Sequence, residues 1–131
     1  MDRDECLVLL ADHTVGRLGV VSGGSPMIFP VNYALDEQDI VFRSADGSKV
    51  DHGLGGRVCF EIDEFDLETR SGWSVVVTGR LEEVTSLQPS MYKRITSADV
   101  EPWADGEKPH WLRIRAGNVT GRRVGPEPAG G

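Results

Sequence analysis

Apolar and polar residues alternate over short runs from Val15 to Val124, and only a few stretches break this rhythm with helical spacing. Val15–Ser22 (VGRLGVVS) and Met27–Leu35 (MIFPVNYAL) are rich in β-branched and aromatic residues. Gly23-Gly24-Ser25-Pro26 between them is turn chemistry, so the pair predicts an antiparallel hairpin. Pro30 cannot donate to a sheet ladder. Its part of the strand is therefore an edge, a bulge, or a place where something other than a strand covers the backbone. Asp36–Asp39 turns the chain into a third strand, Ile40-Val41-Phe42, which completes a meander. Val58–Ile62 (VCFEI) is apolar at its even positions, and Gly72–Val84 is the longest strand, with Gly79 marking a bulge or bend. In the closing strand, Trp111–Val124, Leu112 and Ile114 face opposite to Arg113 and Arg115.

Three segments read as helices. Asp2–Ala11 places Leu7, Leu10 and Ala11 on one face and acidic residues in the first turn, where they suit the dipole. Ser48–Leu54 opens on Ser48 as an N-cap, and Gln88–Ser97 has Pro89 early and an apolar face of Met91, Tyr92 and Ile95. Asp63–Ser71 and Glu101–Pro109 read as loops. Six strands with helices only at the edges predict a mainly β domain over residues 1–124, a six-stranded antiparallel barrel, followed by a disordered tail at 125–131.

The formal charge of -7 opposes binding to nucleic acid or to anionic lipid. No apolar run approaches the roughly 18 residues that a membrane-spanning helix needs, and the acidic N-terminus does not resemble a signal peptide; a cytoplasmic protein is expected. Cys6 and Cys59 stand far apart and read as two buried reduced thiols, and His13, His52 and His110 are scattered, so no metal site is predicted.

The candidate chemistry lies at Ile40–Lys49 (IVFRSADGSK), where a strand delivers Arg43, Ser44, Ser48 and Lys49 into one short loop ahead of a helix. Two cations, two hydroxyls and a helix N-terminus at one end suit a phosphate. The plainer reading is a solvated hairpin end with nothing bound. No G-x-S-x-G elbow, paired carboxylates or Ser/His/Asp order identifies a catalytic group, and the catalytic residues are unknown.

Three segments, Pro30-Val31-Asn32-Tyr33, Val41-Phe42-Arg43-Ser44 with Ser48-Lys49, and Gly72-Trp73-Ser74-Val75-Val76-Val77-Thr78-Gly79, resemble the flavin-binding split-barrel proteins related to pyridoxamine phosphate oxidase. The resemblance runs from the first helix to Val124. It implies a homodimer of six-stranded split barrels holding flavin mononucleotide (FMN) at the subunit interface, and an oxidoreductase acting on a small substrate. It further implies that Arg43, Ser44, Ser48 and Lys49 hold the flavin phosphate and that Pro30, Val31 and Asn32 present backbone groups to the ring. Trp73 and Ser74 would reach in from the other subunit, with Arg122 as a further candidate. Trp73 serves equally as a core or interface anchor. Nothing after Trp111 matches the substrate-binding Arg and His of pyridoxamine phosphate oxidase itself, which argues against vitamin B6 oxidation. The pattern looks closer to the short relatives, which include nitroimidazole-resistance proteins and deazaflavin-using oxidoreductases. A deazaflavin in place of FMN, and a non-catalytic barrel carrying flavin or haem, are the alternatives.

Overall fold

The computed structural model describes residues 1–45, 47, 49–85, 87–98, 100–104 and 106–126, apart from the side chains of Lys49 and Asp51. The chain forms a closed antiparallel barrel with strand order β1-β2-β3-β6-β5-β4. The strands are β1 (Val15–Ser22), β2 (Ser25–Asp36), β3 (Asp39–Ser44), β4 (Arg57–Asp66), β5 (Ser71–Val84) and β6 (His110–Val124). Two meanders, β1-β2-β3 and β4-β5-β6, are joined by the β3–β6 and β1–β4 pairings. This is the six-stranded split barrel expected from the strand succession.

Alternation along the strands builds the interior. Leu18, Ile40, Phe60, Ile62, Val75, Val77, Leu81, Leu112 and Ile114 are fully buried, each worth about 1.5–3 kcal/mol for the larger aliphatic and aromatic side chains. The β1–β2 turn is the two-residue loop Gly23-Gly24 between paired Ser22 and Ser25. Its φ values of +57° and +81° are ones that side chains rarely adopt. β5 and β6 shift register between Thr78 and Gly79, so Gly79 marks the expected bulge. A Cβ on Gly79 would lie 2.1 Å from the Arg115 carbonyl oxygen, which leaves room only for glycine.

Helix α1 (Arg3–Ala11) starts at Asp2, whose carboxylate accepts the Glu5 N–H at 2.9 Å. Its buried residues are Cys6 and Leu10, with Leu7 and Leu9 partly covered, whereas Ala11 is exposed; the apolar face is thus centred one residue away from the expected one. Its last carbonyls are closed by side chains: the Tyr33 hydroxyl donates to Leu10 O at 2.7 Å, and His13 Nδ1 donates to Leu9 O at 2.7 Å. Helix α2 (Pro89–Thr96) buries Ile95 against Val41 and Val84.

Three further expectations change. Cys6 is buried, but Cys59 is exposed rather than buried. The helix expected at Ser48–Leu54 is a five-residue 3₁₀ turn, Lys49–Gly53, and Ser48 lies outside the described residues. Three glycines at 53, 55 and 56 end it before an α-helix can propagate. The polar stretch from Asp63 is strand as far as Asp66, because Asp63, Glu64, Phe65 and Asp66 pair with Ser74, Trp73, Gly72 and Ser71. Both faces of this projecting hairpin meet solvent, so it lacks an apolar alternation.

Candidate functional site: a cationic cleft where the barrel splits

β2 pairs with β1 from Ser25 to Asn32 and meets β3 only from Tyr33↔Phe42 to Asp36↔Asp39. Residues 25–32 of β2 therefore have no strand on their second side, and Pro30, opposite Arg17 on β1, costs no ladder bond there. The gap is a cleft of about 190 Å³ with Phe29, Pro30, Val31 and Asn32 on one wall and Phe42, Arg43, Ser44 and Ala45 on the other. Val50 lines it from the 3₁₀ turn, and a segment that supplies Pro102, Ala104 and Lys108 closes one side.

That segment is tied to both walls. The Trp103 N–H donates to Asn32 Oδ1 at 2.8 Å, and Arg43 Nε donates to the Lys108 carbonyl at 3.1 Å. The Arg43 guanidinium also lies over the Trp111 ring, 5.3 Å from its centroid, a cation–π contact that fixes its plane. With Nε engaged, the two terminal nitrogens of Arg43 have no protein partner among the described residues. Lys108 adds a second cation, Ser44 is buried, and no carboxylate lines the cleft among the described residues. A protein with seven surplus negative charges thus keeps this cavity positive and partly apolar, which suits a ligand with a flat apolar part and an anionic end.

A sequence profile of the family described as pyridoxamine 5'-phosphate oxidase matches residues 2–123. The chain belongs to the pyridoxamine 5'-phosphate oxidase family. An uncharacterized protein of Mycobacterium tuberculosis is 33% identical over 131 residues, spanning 95% of this chain and 84% of the relative. Among solved structures, the FAD binding protein from Mycobacterium smegmatis is 30% identical with a TM-score of 0.82, covering 95% of this chain and 97% of that one. An FAD-binding protein from Mesorhizobium loti is likewise 30% identical, with a TM-score of 0.71 and coverage of 95% and 96%.

The fold of this family brings together five of the ten residues singled out from sequence: Pro30, Val31, Asn32, Arg43 and Ser44 share the cleft. The Asn32 side chain is spent on Trp103, so what it offers a ligand is backbone. Lys49 opens the 3₁₀ turn, Ser48 is outside the described residues, and the helix dipole invoked for both is reduced to a single short turn. Trp73, Ser74 and Arg122 stand apart within one chain. Ser74 and Arg122 are ladder partners on β5 and β6. Trp73 packs its ring edge-on to His13 at 5.1 Å and lines a separate hollow of about 410 Å³ with Glu64, Asp66 and Arg123.

Lys108 and the segment around Trp103 were not among the sequence candidates. They lie in a Pro- and Gly-rich stretch that reads as a spacer. The available signal was Trp103 itself, a large aromatic residue in such a stretch, 77% exposed in the folded chain.

Proposed function

We propose that this chain is a flavin-binding oxidoreductase that holds FMN in the cleft between β2 and β3, as a homodimer. The observation that carries this reading is the Arg43 fork: it is oriented by Lys108 O and Trp111, and among the described residues its terminal nitrogens have no partner and no carboxylate lines the cleft. That donor set fits a phosphate, because a guanidinium held in one plane can bond two of its oxygens at once. Phe29, Pro30 and Val31 suit the apolar face of a ring system, and two similar solved structures are of FAD-binding proteins.

A bound flavin supplies the hydride chemistry, which accords with a cleft whose lining holds no His, Cys, Asp or Glu among the described residues. The chain's own residues then bind, orient and exclude water. Arg43, Ser44 and Lys108 neutralise and position the anionic end, while the Asn32–Trp103 and Arg43–Lys108 bonds hold Trp103 and Lys108 in place beside the cleft. A second copy completes the enclosure. The outer barrel face offers a hollow of about 420 Å³ with Pro26, Met27, Gly19, Cys59 and Thr78 in its lining, flanked by Val21 and Ile28 at 59% and 73% exposure. An apolar patch of this kind marks an interaction surface. In the dimer Trp73, Ser74 and Arg122 come to the cofactor from the neighbouring subunit.

The test is a titration of FMN followed by quenching of its fluorescence. Arg43→Ala is expected to weaken binding about tenfold to a hundredfold, the worth of a charge-assisted hydrogen bond, with an unchanged far-UV spectrum. Equal affinity in the two proteins would place the anion elsewhere.

A further inference from the structure

On the outer face of the barrel, well separated in register from the residues of the cleft, three arginines stand directly opposite one another on adjacent strands. Arg57 on β4 pairs with Arg80 on β5, and Arg80 pairs with Arg115 on β6. Like charges in directly opposed cross-strand positions destabilise a sheet, so such a row calls for compensation. The protein has 21 acidic residues available for that purpose, yet among the described residues Glu82 is the one acid that lines the row. Glu82 Oε2 is committed to Arg113 at 2.8 Å, and Oε1 reaches Arg115 only at 3.9 Å. Arg80 donates to the Gly55 carbonyl at 2.5 Å, a neutral acceptor, and Arg57 has no hydrogen-bond or ion-pair partner among the described residues.

The row surrounds a hollow of about 280 Å³. Its floor is the bulge itself, where Gly79, Ala116 and Gly117 present backbone and a single methyl group rather than side chains. The register passes from Thr78↔Asn118 to Gly79↔Ala116, so Gly117 is the extra residue, and the three arginines border the concavity together with Glu82.

We propose that this hollow binds a multiply charged phosphate group. A carboxylate offers two oxygens and is satisfied by one guanidinium fork, whereas three forks around one floor call for the larger number of oxygens on a pyrophosphate or phosphate ester. The site is distinct from the cleft, with which it shares no residue.

Inorganic pyrophosphate is the probe, titrated by calorimetry and by thermal melting at fixed ionic strength, with succinate as the contrast. The wild-type protein is expected to gain melting temperature with pyrophosphate and not with succinate. The double variant Arg57→Gln, Arg115→Gln is expected to bind pyrophosphate at least tenfold more weakly, while Arg43→Ala retains the response. Without ligand, Arg57→Gln melts at or above the wild-type temperature, because the repulsion is relieved. Four results would overturn the proposal: no wild-type response; a response lost in Arg43→Ala but kept in the double variant; equal stabilisation by succinate; or a ligand-free Arg57→Gln protein that is clearly less stable. Dissociation of a dimer by the double variant would assign the row to acidic groups of a second copy instead.

Discussion

Tyr33 shows how one side chain ties secondary structure to the barrel. It is 2% exposed, meets Phe60 edge-on at 4.8 Å, and gives its hydroxyl proton to Leu10 O, a helix-end carbonyl with no partner in its own helix. Burial pushes the phenol well above its ordinary value of 10.0. The folded state therefore keeps the proton longer than the unfolded state does. The stabilisation it provides is complete below pH 10 and is lost as pH rises through the alkaline range. Tyr33→Phe should cost about 1–3 kcal/mol at neutral pH by denaturant melting, and the gap from wild type should narrow above pH 10. A gap that widens there would refute the assignment. Arg43 and Ser44 were legible at this scale because a cation and a hydroxyl at the end of an apolar strand have few structural uses. Lys108 was not, because its role depends on a turn of the chain 65 residues beyond Arg43 that no local pattern encodes.

Among the elements, the strands were legible wherever one face is buried, since alternation records the burial directly. β5 is the clearest case, with Val75, Val77, Gly79 and Leu81 inward and its bulge marked by Gly79. The hairpin tip at Asp63–Asp66 was not, because neither face enters the core and the sequence there is simply polar. The 48–54 segment was read as α because a serine and a lysine precede apolar Val50, but its glycines allow only a 3₁₀ turn. The bulge also gives the most direct test of an element. Gly79→Ala forces a Cβ onto the Arg115 carbonyl and should cost about 1–3 kcal/mol in urea unfolding, whereas Gly47→Ala, where a Cβ would meet nothing within 4 Å, should cost less despite its φ of +67°. Equal losses would mean that the β5–β6 crossing is looser than the contacts indicate.

At the scale of the whole molecule, an acidic barrel gathers cations at two concave places, the cleft at Arg43 and the arginine row at the bulge, and leaves an apolar outer patch at Val21 and Ile28 exposed. The family was legible from three short segments in the right order, since they fall on the strands that build the cleft. In the reading proposed above, Trp73 and Arg122 would complete the site across an interface, and nothing in either residue itself marks which chain it serves. The central claim is that a second copy closes a flavin site at the split in the barrel. Sedimentation velocity recorded at the visible absorption band of FMN tests it directly. The account predicts a single boundary of twice the chain mass carrying the flavin; flavin that stays unsedimented beside a colourless monomer would contradict it.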